Sequence, residues 1–239
     1  DDQPGYLPPV GLGEVIRAAG IGEVIETRCD AYAVGDIVTT LTGFQEYAIV
    51  RDDLFTTPVP GPGDQVDQRA VMSIYGPTGA TAYFGMTGIG RPGAGETVVV
   101  SAAAGATGSV AGQIAKIAGA RVVGIAGGAH KCRAVVQDFG FDACIDYRED
   151  DLPSALKTHC PKGVDVYFDN VGGDHLEAAI EHMADFGRIA ACGAIATYDA
   201  TEPPPGPRNL TRVVQRRLSM TGFIVTDHRD AASEFYRTV

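Results

Sequence analysis

Val98–Lys116 reads VVVSAAAGATGSVAGQIAK. An apolar β-branched run passes through small residues into a segment with Val110, Ile114 and Ile117 at helical spacing. A buried strand therefore turns directly into a helix that ends at Gly119. The turn contains Ala103-x-Gly105-x-x-Gly108, the dinucleotide-binding pattern G-x-G-x-x-G except that alanine takes the first place. Gly105 lets the backbone approach a pyrophosphate, and Gly108 lets helix and strand pack closely. The helix N-terminus presents unpaired N–H groups to the anion, from Ala106 and Thr107 onward. A packing turn would use the same glycines; the strand–turn–helix–strand setting favours the nucleotide.

The next strand, RVVGIA (121–126), is followed by GGAHK (127–131). A site for NAD places an Asp or Glu here to accept hydrogen bonds from the ribose hydroxyls. This chain has Ile125, Ala126, Gly127 and Gly128 instead, then Lys131. A 2′-phosphate would repel a carboxylate and attract a cation, so the pattern predicts NADP(H). An ordinary solvated lysine is the plain alternative, but a cation in a helix's first turn opposes the helix dipole unless an anion is near.

Working outward, strands and helices alternate. DACIDY, VDVYFDNVGG, RIAACGA (188–194) and LSMTGFIV (218–225) read as strands, with helices over 131–140, 154–159 and 174–187. This grammar predicts an α/β fold, a Rossmann-type doubly wound parallel sheet. Residues 1–75 are β-rich, up to a Pro/Gly loop over 58–67 and a mainly helical stretch over 70–89; 202–210 is a proline-rich loop. The expected domains are 1–75 and 76–239.

A 45% hydrophobic and 21% charged composition can fill a large core, and the net charge of −11 speaks against nucleic acid or an anionic membrane as partner. No apolar run reaches the ~20 residues that span a bilayer. The five cysteines (29, 132, 144, 160 and 192) form no C-x-x-C pair, so no metal is expected, and unpaired thiols suggest a reducing, cytoplasmic setting.

TAYFGM, ETVVVSAAAGATGSVAGQIAK, VVGIAGGAHKC, VYFDNVGG, CGAIATYD and GFIVTDH follow one another in this order. Together they resemble the zinc-independent medium-chain dehydrogenase/reductase superfamily. The resemblance lies in the branch of NADP-dependent alkenal/one oxidoreductases, which includes the prostaglandin reductases and plant double-bond reductases. It implies a GroES-like β-rich catalytic domain, present here in part, joined to the Rossmann domain; members are longer at both ends, so a fragment is expected. It further implies that Gly105–Gly108 hold the pyrophosphate, Gly128 and Lys131 the 2′-phosphate, and that Tyr147 lies near the adenosine. Asn170 would face the cofactor. Cys192, Gly193, Ala194, Ile195 and Tyr198 would run beneath the nicotinamide half. The backbone of Phe223, Ile224 and Val225 would meet the carboxamide. A homodimer through the edge strand 218–225 is also implied.

The reaction so implied is NADPH-dependent reduction of a C=C bond conjugated to a carbonyl in a small enal or enone. Without a metal, the charge that collects on the carbonyl oxygen needs hydrogen-bond donors, and Tyr198 is the candidate catalytic residue. A second tyrosine found in some relatives corresponds to Gln215. A quinone oxidoreductase and a non-catalytic NADPH-binding protein share the same nucleotide fold and stand as alternatives.

Overall fold

The computed structural model describes residues 9–51, 56–59, 67–202 and 204–231. The chain divides into two compact units, Asp1–Gly76 and Pro77–Val239. The loop expected over 58–67 lies mostly outside the described residues, as does residue 203 of the proline-rich loop.

In the first unit three short strands, β1 (Gly20–Glu23), β2 (Ile37–Thr40) and β3 (Thr57–Pro58), form an antiparallel sheet in that order, followed by helix α1 (Gln68–Ser73). Asp67 caps α1 by accepting the Arg69 N–H at 2.9 Å. Val38 and Val71 are buried, and the buried hydroxyls of Thr40 and Thr56 pair with each other at 2.9 Å.

The second unit begins with α2 (Pro77–Phe84) and a π-helical turn (Gly85–Gly90). Six strands then alternate with helices: β4 (Thr97–Ser101), α3 (Ala106–Ile117), β5 (Arg121–Ala126), α4 (Ala129–Gln137), β6 (Ala143–Asp146), α5 (Leu152–His159), β7 (Val164–Asp169), α6 (Gly173–His182), β8 (Met183–Ala191), α7 (Thr211–Gln215) and β9 (Ser219–Gly222). Every pairing is parallel and the order is β6-β5-β4-β7-β8-β9. This is the doubly wound arrangement that the alternation predicts. The chain runs outward from β4 in one direction and then from β7 in the other, so the β4–β7 junction is the point where the order reverses.

Strand alternation sends side chains to two cores. Val98, Val100, Val122, Val166 and Phe168 pack with Ala82 of α2, Ala111 and Ala115 of α3 and Val135 of α4. Val99, Val123, Ile125, Ile145, Tyr167 and Ile189 pack with Leu156 of α5 and Ile180 of α6 on the other face. Both faces of the sheet are covered, which is why its strands are continuously apolar rather than alternating.

Three local expectations need correction. The buried stripe of α3 is Gly108, Ala111, Gly112 and Ala115, whereas Ile117 is 87% exposed and Val110 and Ile114 are half-buried. The helix lies too close to the sheet for larger residues on that line: a Cβ on Gly112 would run into the buried Phe141 ring. Second, the helix expected over 174–187 stops at His182. Met183, fully buried, enters extended backbone and pairs with Val164, and the next pairing is Val166 with Arg188. Residues 184–187 therefore bulge out, with Phe186 at φ 61° and its N–H on the Arg216 carbonyl at 2.7 Å. Third, the last strand ends at Gly222. Phe223 leaves the sheet because its ring turns inward, 6.3 Å from that of Phe168 and against Gly85, and Val225 begins a 3-10 segment running to Ala231.

Gly112→Ala is expected to lower stability. The gain of about 1 kcal/mol in helix propensity is outweighed by overpacking of roughly 1–3 kcal/mol against Phe141. Chemical denaturation of the variant should show a lower midpoint with an unchanged slope.

Candidate functional site

All strands of the large sheet point the same way, so their C-terminal ends share one edge. Each expected site residue follows one of these ends: Gly105–Gly108 after β4, Gly128 and Lys131 after β5, and Tyr147 after β6. Asn170 follows β7, Cys192–Tyr198 follow β8, and Phe223–Val225 follow β9.

The β4–α3 turn owes its shape to three residues. Ala102 takes the left-handed conformation at φ 48°, its carbonyl accepts the Gly105 N–H at 2.8 Å, and Ala103 bonds Ile125 across the sheet at 3.0 Å. The left-handed residue thus precedes the fingerprint, and Ala103 needs no glycine geometry. Its methyl instead packs, fully buried, on Gly124, where a Cβ would lie 2.8 Å away. Gly108 is required by contact, because a side chain there would strike the Ala102 carbonyl. Gly105 caps α3 without a side-chain bond, and the first turn of α3 holds no acid. The N–H groups of Ala106, Thr107 and Gly108 are left for an outside acceptor; Gly105 and Ala106 are exposed.

The β5–α4 turn repeats the arrangement. Gly128 caps α4 at φ 93°, with no side-chain cap and no acid in the first turn. Its N–H donates to Asp146 Oδ1 at 2.8 Å. Lys131 is exposed on the first turn, and Tyr147, 43% exposed, reaches back over Gly127. The Tyr147 ring meets His175 of α6 edge-on at 5.0 Å. Burial holds the His175 imidazole below its ordinary pKa, and its Nδ1 is buried without a hydrogen-bond partner among the described residues.

At the order reversal, β4 and β7 are tied by side chains. The buried Asp169 carboxyl accepts the Ser101 hydroxyl at 3.2 Å and the N–H groups of Val171 and Gly172 at 3.1 and 3.0 Å. Ser101 Oγ accepts the Asn170 N–H at 2.8 Å, and Asn170 Nδ2 donates to the Ser101 carbonyl at 2.7 Å. Tyr167 lies beneath this cluster, its hydroxyl fully buried and pushed well above the usual tyrosine pKa by burial and by Asp169.

The β8 loop is laced to the same cluster. The N–H groups of Cys192 and Gly193 donate to the Asp169 carbonyl at 2.9 and 3.0 Å, and that of Ile195 to the Asn170 carbonyl at 3.2 Å. A Cβ on Gly193 would sit 3.3 Å from the Tyr198 hydroxyl and 3.4 Å from the Asn170 carbonyl. The absence of a side chain on Gly193 therefore leaves room beside the hydroxyl of Tyr198, which is 66% exposed. Ala194 packs on Gly172, and Ile195 opens a 3-10 turn ending at Thr197. The Cys192 thiol is raised to about 11 by burial, then by Asp169, and stays protonated at neutral pH. Phe223, Ile224 and Val225 leave their sheet as described, with the Ile224 carbonyl held by the Asp227 N–H at 3.0 Å. Gln215 is exposed and accepts from Arg212 at 3.0 Å.

Residues 106–238 match the family described as "Zinc-binding dehydrogenase", and residues 1–57 match the "N-terminal domain of oxidoreductase". The NADPH-dependent curcumin reductase of Escherichia coli (strain K12) is 40% identical over 99% of this chain and 69% of its own length. The NADP(+)-dependent 2-alkenal reductase of Nicotiana tabacum is 39% identical over 93% of this chain and 64% of its own. The crystal structure of CurA from Vibrio vulnificus in complex with NADPH superposes with a TM-score of 0.91 at 37% identity, covering 99% of this chain and 71% of that one. The chain belongs to the medium-chain dehydrogenase/reductase family. It falls in the alkenal/one reductase branch and spans about two thirds of these relatives' lengths.

Within this medium-chain dehydrogenase/reductase fold, the sequence missed Ser101, Asp169, Asp146 and His175. Their roles depend on partners far along the chain; the only local sign was an acid immediately before Asn170. Among the described residues no group of three or more His, Cys, Asp or Glu is placed to hold a metal ion, and no helix is long and apolar enough to cross a membrane. A small cavity between α6 and the loop at 205–208 is partly filled by the Arg208–Glu177 pair at 2.9 Å.

Asp169→Ala should unpair three donors at the sheet junction, at a cost of about 3 kcal/mol. Asp174→Ala, which removes an exposed acid from the first turn of α6, should cost no more than about 1 kcal/mol. Urea denaturation of the two variants separates these outcomes.

Proposed function

We propose that the chain binds NADP(H) along the C-terminal edge of its parallel sheet and reduces the C=C bond of small α,β-unsaturated aldehydes and ketones. The observation that carries this reading is the convergence of Asn170, Gly193 and the Tyr198 hydroxyl on the edge that also carries the fingerprint turn. The names of the relatives, a curcumin reductase and a 2-alkenal reductase, support the substrate class.

The residues present fit the cofactor. Gly105 and Gly108 leave room that a side chain would fill, and the uncapped, acid-free start of α3 suits a pyrophosphate. The start of α4, with Lys131 and no carboxylate at 125–126, suits a 2′-phosphate. Asn170 and the 192–195 segment would line the nicotinamide half, with the backbone of 223–225 beside it. Tyr147 would cover the adenosine.

NADPH bound there would supply a hydride for the β-carbon of the enone, and the α-carbon would take its proton from solvent. The Tyr198 O–H donates to the carbonyl oxygen, where negative charge collects, and so stabilises the transition state more than the ground state. Gly193 keeps space in front of that hydroxyl. The chemistry as read is zinc-independent. We further assign residues 1–75 to part of the catalytic domain and 76–239 to the nucleotide domain. The edge of β9, which pairs with no further strand among the described residues and whose four residues are all exposed, is assigned to a homodimer contact, and the chain, with its five free thiols, to the cytoplasm.

NADPH oxidation with a panel of 2-alkenals, enones and quinones tests the reading: enals and enones should turn over, and a chelator should leave the rate unchanged. Turnover of quinones alone would overturn the substrate assignment. Tyr198→Phe should lower kcat and kcat/KM alike, about ten- to a hundredfold, with NADPH affinity nearly intact. An unchanged kcat would exclude the role given to its hydroxyl.

A further inference from the structure

Gly127 stands immediately before the residue that caps α4. A Cβ there would lie 2.9 Å from Arg148 Nε and 2.9 and 3.0 Å from Cε1 and Cζ of Tyr147. The missing side chain is what allows both residues, which follow β6, to lie over the β5–α4 turn. Tyr147 was expected near this place from the sequence; the guanidinium was not.

Arg148 is exposed and makes no ion pair among the described residues, although four acids stand within three positions of it. Three of these acids are turned toward backbone amides. Asp146 Oδ1 accepts the N–H of Gly128 at 2.8 Å and of Arg148 itself at 3.2 Å. Asp150 accepts the Asp146 N–H at 3.2 Å, and Asp151 caps α5 on the Ser154 N–H at 3.1 Å. Several other arginines of this unit are paired with carboxylates, Arg188 with Glu96 at 2.6 Å, Arg208 with Glu177 at 2.9 Å and Arg212 with Glu181 at 2.6 Å, and Arg121 donates to the His159 carbonyl at 3.3 Å. The guanidinium over Gly127 remains available, beside a helix start that has no acid in its own first turn, no side-chain cap and Lys131 in its first turn, with the Asp146 carboxyl on the Gly128 N–H. One carboxylate does not offset two cations at the positive end of a helix dipole, so a further anion is favoured there. A doubly charged phosphate monoester matches all three features: helix N–H groups, an ammonium and a planar guanidinium that can bind two oxygens at once.

We propose that Arg148 is a second specificity-determining cation, which grips the 2′-phosphate of NADP(H) over Gly127 while Lys131 holds it from α4. This rests on the cofactor reading above and adds to it the residue that shares the discrimination. Gly127 has a part of its own: any side chain there would push Arg148 and Tyr147 off the turn.

Calorimetric binding of NADP+ and NAD+, and of 2′,5′-ADP and 5′-AMP, to the unmodified protein and to Arg148→Gln, Arg148→Lys, Lys131→Gln and Gly127→Ala tests the proposal. Arg148→Gln should weaken NADP+ and 2′,5′-ADP about tenfold, as for loss of one charge-assisted contact at an exposed site. It should leave NAD+ and 5′-AMP unchanged, and Arg148→Lys should recover part of the loss. Gly127→Ala should weaken NADP+ more than NAD+. The preference should also fade as pH falls through about 6, where the phosphate loses its second charge. Equal weakening of both cofactors by Arg148→Gln, or no change in either, would overturn the proposal. If Lys131→Gln lowers the preference and Arg148→Gln does not, the role of Arg148 fails while the cofactor reading stands. If the unmodified protein shows no preference for NADP+, both fail.

Discussion

The buried Asp169 carboxyl at the end of β7 holds together the place where the sheet reverses direction. It accepts Ser101 from β4 and two N–H groups of its own turn, while Ser101 and Asn170 exchange two further bonds. Two parallel strands whose following helices leave toward opposite faces would otherwise open a crevice lined with unpaired backbone. These bonds keep the crevice at a fixed width and turn its walls into oriented groups. The β8 loop hangs from the same point, because Cys192 and Gly193 donate to the Asp169 carbonyl. The position of Tyr198 relative to Asn170 thus follows from the junction rather than from the loop's own conformation.

Close approach is the second constraint, and it is met by small residues in compensating positions. Alanine replaces the first glycine of the fingerprint because Ala102 carries the left-handed turn and Gly124 opposite makes room for the Ala103 methyl. Gly112 admits the Phe141 ring beneath α3, Gly127 admits Tyr147 and Arg148, and Gly193 leaves space before the Tyr198 hydroxyl. In each case the missing side chain serves a neighbour that is distant in sequence. A glycine count alone would not have distinguished these positions from the flexible ones.

Most of the nucleotide unit was legible in the sequence because each of its decisions is local. A β-branched run, a glycine turn and a helical repeat fit inside about thirty residues, and the strand ends then place the site residues on one edge. What escaped was set by partners elsewhere. The start of β8 depends on Met183 finding Val164, the end of β9 on Phe223 finding Phe168, and the exposure of Ile117 on how closely α3 meets the sheet. In the site, Ser101 and Asp169 meet across 68 positions and Gly128 and Asp146 across 18, so no spacing rule could have paired them. The places of Lys131 and Tyr198 after β5 and β8 were readable because they fall inside short runs that already resemble the family.

On the proposed reading, the C-terminal edge of the sheet, organised at the β4–β7 junction, receives a 2′-phosphorylated dinucleotide along its whole length. Amide NMR spectra recorded as NADP+ is added to the protein test it most directly. Saturable shifts are expected at 105–109, 128–132, 192–195 and 223–225, with little change at the N-terminal ends of the strands. Shifts gathered instead around the cavity between α6 and residues 205–208, or at the opposite edge of the sheet, would contradict it.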